Sequence, residues 1–183
     1  MDEIWAKLYA AAKAVQQERQ ISDYVLAGGV AAAVLSKSGR IYTGVCIDTC
    51  STLGICAERN AIFNMITNGE QEIDKVLCIL PDGSGGTPCG ACRELMVQLM
   101  PNGRYKDIEI MMDYAAGRIV KLGEITPEWW IKYPLPTQNG TGFPFSETLS
   151  RSSFPAGKLT APLPPFSVPL PADPDMRSDG CRT

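Results

Sequence analysis

The chain has 183 residues, of which 45% are hydrophobic and 20% are charged, a composition that can bury one well-packed core. Lysine and arginine number 17 against 20 aspartates and glutamates, which gives a net charge of −3. This balance argues against a general polyanion binder, which needs a basic surface. The sequence contains no histidine, so a catalytic proton shuttle would have to be a carboxylate, and a zinc site would have to use thiolates or carboxylates.

The N-terminal segment and the cysteine content predict a soluble protein of the cytoplasm. Residues 1–5 are acidic, whereas a secretory signal would begin with basic and then apolar residues. The longest early run without charged or strongly polar side chains, residues 25–35, is about half the roughly 20 residues that span a membrane. Seven cysteines in such a chain favour metal or thiol chemistry over a disulfide framework. We expect no association with a membrane.

Proline divides the chain into two parts. Four of the 14 prolines lie in residues 1–133 and ten lie in residues 134–183. Because proline lacks an amide hydrogen and fixes its own φ angle, the second part can neither pair into a sheet nor continue a helix. We therefore predict one folded domain over residues 1–133 and a Pro-rich, disordered C-terminal tail over residues 134–183.

Within residues 1–133, hydrophobic periodicity predicts alternating helices and strands. In chain order the predicted elements are a helix over 3–19, hairpin strands over 30–35 and 40–46, a helix over 56–67, a strand over 75–80, a glycine-rich loop over 82–87, a helix over 90–100, strands over 108–112 and 118–120, and a last short helix opened by Pro127. This order favours an α/β fold, a three-layer α/β/α sandwich with a mixed five-stranded sheet.

Two cysteine-containing segments carry the strongest chemical signal. The first reads Cys-Ala-Glu-Arg over 56–59, and the second reads Pro-Cys-Gly-Ala-Cys-Arg over 88–93. Each places a cysteine at a predicted helix start, where the helix dipole and free amide hydrogens stabilise a thiolate. Cys89 and Cys92 can bind one ion from the same side, and Cys56 can supply a third ligand. Three protein ligands and one open position are typical of a catalytic zinc site.

Charged residues beside these cysteines complete the candidate site. Glu58 lies two residues after Cys56, so its carboxylate would lie beside the metal, where it can take a proton from water and pass it to a substrate nitrogen. Three thiolates leave a zinc site with net negative charge, which weakens the ion as a Lewis acid. We predict that Arg59 and Arg93 donate hydrogen bonds to the sulfurs and offset that charge.

A structural zinc site is the alternative use of the same cysteines. Such a site would be closed by a fourth thiolate from Cys46, Cys50 or Cys78. It would leave the spacing between Cys56 and Glu58 without an explanation, so the catalytic interpretation is preferred.

The two segments resemble the signature of the zinc nucleobase deaminases, in which His or Cys followed by Ala-Glu precedes Pro-Cys-x-x-Cys by about thirty residues. The all-cysteine form over 56–59 and 88–93 is similar to that of the small homotetrameric cytidine deaminases, including the related blasticidin S deaminases. The resemblance covers roughly residues 5–133.

This resemblance implies a cofactor, a reaction and an assembly. Cys56, Cys89 and Cys92 would bind one zinc ion per subunit. Glu58 would act as the general acid and base, and Arg59 would temper the thiolate charge. A zinc-bound hydroxide would attack C4 of a cytosine nucleoside while Glu58 shuttles protons, converting cytidine or deoxycytidine to uridine or deoxyuridine plus ammonia. The resemblance also implies pyrimidine salvage and a homotetramer with shared active sites.

The residues that would hold the substrate depart from the family pattern. The Asn-x-Glu that holds the ribose in cytidine deaminases aligns with Cys-Ile-Asp over 46–48, and an aromatic residue before the hairpin is missing. We predict substrate contacts from Cys46, Asp48 and, in place of that aromatic, Tyr24. Cytidine or deoxycytidine is the first predicted substrate. The alternatives are a blasticidin S deaminase-like, antibiotic-inactivating enzyme and a non-catalytic nucleoside-binding relative. Nucleic acid is not an expected partner, because the acidic chain lacks a basic stripe.

Overall fold

The structure, a computed structural model, describes residues 2–130, so the predicted tail over 134–183 lies outside the described residues. The elements in chain order are α1 (Glu3–Val15), β1 (Arg19–Ser22), β2 (Val25–Ser36), β3 (Ile41–Thr49), a 3₁₀ turn (Cys50–Thr52), α2 (Ala57–Thr67), β4 (Ile73–Ile79), α3 (Gly90–Leu99), a second 3₁₀ turn (Arg104–Asp107), β5 (Glu109–Asp113), β6 (Arg118–Lys121) and α4 (Leu122–Ile125). None of the helices in this part of the chain has the length and hydrophobicity that crossing a bilayer requires.

The first helix ends earlier than its periodicity predicts, and an unpredicted strand follows it. Helix α1 ends at Val15 instead of residue 19, because Gln16 takes an extended backbone conformation. The Gln16 side-chain amide donates to the carbonyl oxygens of Gly29 and Leu80, at 2.8 Å each. The four side chains of β1 are all exposed, so this strand shows none of the apolar alternation by which a half-buried strand is predicted.

Six strands within the described residues form one mixed sheet, one strand more than predicted. The long strand β2 pairs antiparallel with β1, β3 and β4. Strand β5 lies parallel to β4 and antiparallel to β6. The sheet order is therefore β1-β2-β4-β5-β6, with β3 paired to β2. The register between β2 and β3 shifts after Ala27, next to Gly28 with its φ of +89°, a conformation that a glycine adopts without strain.

Helices cover both faces of this sheet. Odd-numbered residues of β2 from Ala31 to Leu35 pack with Trp5 and Leu8 of α1. Even-numbered residues of the same stretch pack on the opposite face with Ile62 of α2 and with residues of α3. Burial on both faces explains why β2 is apolar at consecutive positions. The predicted three-layer α/β/α sandwich is confirmed.

The last helix precedes Pro127, whereas the sequence predicted that Pro127 would open it. Helix α4 instead begins at Leu122, which is fully buried. After Pro127, the indole N–H groups of Trp129 and Trp130 both donate to the Glu94 carboxylate, at 2.9 Å each. These two contacts hold the segment against α3 in a non-helical conformation.

Helix α2 approaches strand β3 very closely at Gly44. A β-carbon at this position would lie 2.2 Å from the backbone nitrogen of Ala61 and 2.7 Å from the carbonyl oxygen of Ala57. Only a residue without a side chain allows the two backbones to come so near. Gly44 thereby sets the position of α2, whose first turn carries Glu58.

We expect Gly44→Ala to lower the free energy of unfolding by about 3 kcal/mol, because the added methyl group forces α2 away from β3. Urea unfolding of the zinc-loaded protein measures this change. Gly90→Ala is the matched control, since a β-carbon there would meet no atom within 4 Å; its effect should stay within about 1 kcal/mol. Equal stabilities of the two variants would contradict the close packing at Gly44.

Candidate active site

Three cysteine sulfurs meet where helices α2 and α3 begin. Cys56 immediately precedes α2, Cys89 immediately precedes α3, and Cys92 lies in the first turn of α3. Their Sγ atoms all lie within 4.8 Å of one another, and Cys89 Sγ is 3.5 Å from each of the other two. Two sulfurs bound to one tetrahedral zinc at about 2.3 Å are separated by about 3.8 Å. The spacing and the thiolate chemistry of the donors therefore suit a single zinc ion.

The pKa values of the three thiols shift in different directions. Burial opposes ionisation of Cys89, but the backbone N–H of Cys92 and the neighbouring thiols lower its pKa below the ordinary value. Burial raises the pKa of Cys92, and the nearby Glu58 charge adds to that effect. Burial and a hydrogen bond with Cys89 likewise raise the pKa of Cys56. A cation that binds all three as thiolates must therefore displace protons.

The two predicted arginines have different partners. Arg59 Nη2 donates to Cys56 Sγ at 4.0 Å. These residues are three apart, about one helical turn, and so share a face. Arg93 instead donates from Nη1 to the carbonyl oxygen of Ile125 at 2.8 Å, which corrects the expected hydrogen bond to a sulfur. Because Arg93 directly follows Cys92, the helix turns the two side chains about 100° apart.

Glu58 supplies a buried carboxyl beside the sulfurs. Its side chain is 4% exposed and stems from the first turn of α2. Burial raises the pKa of Glu58, although hydrogen bonds from its own backbone amide and from Cys92, together with the charge of Arg59, partly oppose the rise. A carboxyl whose pKa is raised in this way is suited to accept and return a proton near neutral pH.

Cys56, Cys89 and Glu58 line a cleft of about 710 Å³, a size typical of small-molecule sites, while Cys92 is fully buried. Strand β3, the loop after it and the glycine-rich loop contribute most of the wall. Besides Cys56, Glu58 and Cys89, the lining residues are Val30, Cys46, Ile47, Asp48, Thr49, Thr52, Gly54, Ile55, Ala57, Arg59, Cys78, Leu80, Gly85, Gly86 and Thr87. Sequence analysis did not predict Thr49, Thr52, Gly54 and Ile55 as lining residues, because their residue types carry no recognisable chemical pattern.

The three predicted substrate residues lie at different depths. Cys46 is buried in the cleft wall, where its Sγ accepts a hydrogen bond from the Val30 amide at 3.2 Å. Asp48 lines the same cleft but is exposed. Tyr24 is 72% exposed and lies outside the cleft lining. It lines a smaller groove in which Asp48 also takes part.

A fourth thiolate does not join the three sulfurs within residues 2–130. Cys46 and Cys78 line the cleft, yet the group of sulfurs within mutual reach of one ion comprises Cys56, Cys89 and Cys92. Cys50 is exposed after the end of β3. The arrangement is the one expected of an open site, in which a water or substrate takes the fourth position.

Comparison with known families matches residues 5–104, just over half of the chain, to the cytidine and deoxycytidylate deaminase zinc-binding region. The cytidine deaminase of Halalkalibacterium halodurans is 36% identical over 73 residues, which cover 39% of this chain and 55% of that protein. The blasticidin-S deaminase of Bacillus cereus is 30% identical over 82 residues, which cover 40% of this chain and 59% of that protein. The chain thus spans little more than half the length of these curated relatives.

Solved structures show the same fold. The cytidine deaminase from Mycobacterium leprae superposes with a TM-score of 0.56 at 27% identity, over 69% of this chain and 100% of that one. The cytidine deaminase from Burkholderia pseudomallei gives a TM-score of 0.52 at 27% identity, over 70% and 98% of the two chains. The similarity therefore extends over most of the described residues.

Proposed function

The chain belongs to the family of zinc-binding cytidine and deoxycytidylate deaminases, and from this premise we propose that it removes the amino group of a cytosine nucleoside by hydrolysis. The family places the chain among hydrolases that act on carbon–nitrogen bonds, with zinc as the cofactor. The observation that carries the proposal is a buried carboxyl, Glu58, that lines one cleft with Cys56 and Cys89, whose sulfurs cluster with that of the buried Cys92.

Cys56, Cys89 and Cys92 are the proposed zinc ligands. When bound, zinc supplies a Lewis acid that makes water acidic enough to lose a proton near neutral pH. Arg59 donates to Cys56 Sγ and thereby withdraws negative charge from the ligand set. Burial lowers the pKa of Arg59, but the hydrogen bond and the charges of Cys56 and Cys92 outweigh it and hold the pKa above the ordinary value.

Glu58 is the proposed proton carrier. Its carboxylate takes a proton from the attacking water and delivers one to ring N3, which makes C4 electrophilic. The water oxygen bonds to C4, and Glu58 then takes the remaining proton of that oxygen and delivers it to N4. The C4–N4 bond breaks, so that ammonia leaves and a carbonyl forms at C4. Burial supports this role, because it raises the pKa of Glu58 and so strengthens its carboxylate as the base that takes a proton from water.

Cytidine and deoxycytidine are the first proposed substrates, because the matched relatives include cytidine deaminases. Blasticidin S is the second candidate, since a blasticidin-S deaminase is 30% identical over the matched segment. A non-catalytic relative would have no need of Glu58 together with all three cysteines. The acidic chain favours a free small molecule over nucleic acid as the substrate.

We expect the zinc-loaded chain to deaminate cytidine or deoxycytidine with a kcat/KM of about 10⁴ M⁻¹ s⁻¹ or more. The loss of cytosine absorbance would be followed for cytidine, deoxycytidine and blasticidin S side by side, with Glu58→Gln as the blank. Turnover of blasticidin S alone would favour the second candidate. Inactivity on all three with zinc bound would contradict the proposal.

We also propose a homo-oligomer, with a tetramer as the assembly that the family resemblance favours. Exposed apolar side chains support it: Phe63 and Ile66 on α2 are 44% and 42% exposed, and Leu53 is 82% exposed between the cleft residues Thr52 and Gly54. Phe63 and Ile66 are three residues apart and so share one face of α2, and an exposed apolar face is typical of a contact surface. A role in pyrimidine salvage and a cytoplasmic location belong to the same proposal, since the site requires reduced thiols.

A further inference from the structure

The side-chain amide of Gln16 bridges strands β2 and β4 just beyond the end of their ladder. Its Nε2 group donates to the carbonyl oxygen of Gly29 and to that of Leu80, at 2.8 Å each. Its oxygen accepts from Lys13 Nζ at 2.8 Å, so both polar atoms of the amide have partners and its orientation is determined. Both bridged positions belong to the cleft wall or adjoin it, since Leu80 lines the cleft and so does Val30, which follows Gly29.

This bridge fills a gap along one edge of β2. Strand β3 pairs along the other edge, so β1 and β4 share this one. Strand β4 pairs with β2 from Ala31 to Ser36, and β1 pairs with it from Val25 to Ala27. Residues 28–30 lie between these two ladders. Gln16 therefore supplies to the Gly29 carbonyl oxygen the hydrogen bond that a neighbouring strand would otherwise donate.

The chain around Gln16 lies very close to β2. A β-carbon at Gly28 would lie 1.9 Å from the carbonyl oxygen of Gln17, so only a residue without a side chain allows this approach. The Gln16 side chain itself is half-buried. The segment thus has a fixed position from which the amide can hold the ends of β2 and β4 at a set separation.

Leu80 connects this bridge to the glycine-rich loop over residues 82–87. The Leu80 carbonyl oxygen also accepts from the Gly83 amide at 2.9 Å, and the Leu80 amide donates to the Ser84 carbonyl oxygen at 2.9 Å. A β-carbon at Gly86 would meet Leu80 Cδ2 at 3.2 Å, so the Leu80 side chain packs directly against the loop. Because Gly86 and its two neighbours line the cleft, a displacement of Leu80 would move this part of the cleft wall.

We propose that Gln16 is a positioning residue for the substrate: its amide sets the separation of Val30 and Leu80 and thereby shapes the wall against which the cytosine nucleoside binds. This inference rests on the proposed deaminase function and deepens it. Glutamine suits the role because its amide offers two N–H donors and one acceptor, which match the two carbonyl oxygens and the Lys13 ammonium. None of its hydrogen bonds reaches Glu58 or a proposed zinc ligand, so its loss should act on nucleoside binding and leave the metal in place.

The test compares kcat and KM of the zinc-loaded unaltered chain with those of Gln16→Glu, for whichever of cytidine, deoxycytidine and blasticidin S the unaltered chain turns over fastest. Glutamate has the same size and can still pair with Lys13, but its second oxygen would face the two carbonyl oxygens without a proton to donate. We expect KM to rise about tenfold, zinc to stay at one ion per chain, and kcat to change by less than about threefold. Gln17→Glu is the matched control, because it makes the same change at the next residue, whose side chain is exposed and has no hydrogen-bond partner within residues 2–130.

A merely structural role predicts a different result, namely a lower unfolding temperature with kcat and KM of the folded protein unchanged. A rise in KM no larger than that in Gln17→Glu, a loss of zinc, or a fall in kcat with KM unchanged would overturn the positioning role while deamination stands. If Gln16→Glu is unfolded at the assay temperature, Gln16→Met replaces it: methionine fills a similar volume without the two donors, so KM should rise about threefold, and an unchanged KM would contradict the inference. Inactivity of the unaltered zinc-loaded chain toward all three compounds would overturn the proposed function and the inference with it.

Discussion

Glu58→Gln is expected to retain zinc and the native fold and to lose about a thousandfold or more in kcat. Glutamine has the size and shape of glutamate, so the buried position in the first turn of α2 remains filled. An amide, however, can neither take a proton from water nor deliver one to ring N3. Because the carboxyl is the one group in the described cleft placed for both transfers, its loss should act on the chemical step.

Zinc content and kcat should be measured on the same preparations. Glu58→Asp keeps the carboxyl but withdraws it by one methylene, so we expect a smaller loss of about ten- to a hundredfold. Glu72→Gln is the control, since Glu72 is exposed, pairs with Arg104 and does not line the cleft. Loss of both zinc and cooperative unfolding in Glu58→Gln would show that Glu58 is structural. An unchanged kcat would exclude it as the proton carrier.

The site could be anticipated from sequence where its geometry is local. A cysteine just before a helix and another three residues on necessarily lie on one side of that helix start, so Cys89 and Cys92 were predictable as a pair. The approach of Cys56 to Cys89, at 3.5 Å, joins two separate helices. It was expected because the motif resembles a known family, and no local rule requires it.

The features that the sequence did not predict correctly depend on tertiary contacts, which leave no local pattern in the sequence. Strand β1 is polar and exposed, so only its pairing with β2 identifies it. Arg93 follows a predicted ligand in sequence, yet the helical rotation carries it to Ile125. Tyr24 and Asp48 line one groove because Val25, next to Tyr24, pairs with Thr49, next to Asp48. That juxtaposition requires the register of two strands and could not be read from either segment alone.

Cys92→Ala is expected to reduce zinc from one ion per chain to below about a tenth and to abolish turnover, because two remaining protein ligands cannot compete with free chelators for the ion. Cys92 is fully buried in the first turn of α3. Cys78→Ala is the matched control, since Cys78 is also a buried cysteine but lies in the cleft wall, outside the sulfur group. Both substitutions remove one sulfur from the interior, so the cavity that each leaves should lower the free energy of unfolding by a similar amount, about 1 kcal/mol.

Any further difference in stability or activity between the two variants therefore reports the contribution of the zinc ion. Zinc binds the native state, so its removal by a chelator should lower the unfolding temperature of the unaltered chain and of Cys78→Ala, and should leave zinc-free Cys92→Ala unaffected. Metal analysis, thermal unfolding with and without chelator, and the deamination assay would be run on all three proteins. If Cys92→Ala kept its full zinc content and Cys78→Ala lost zinc, Cys78 would be the ligand in place of Cys92. Cys56 and Cys89 directly precede two different helices, so the same ion should also join α2 to α3. The decrease in unfolding temperature that the chelator causes measures the stability contributed by that link.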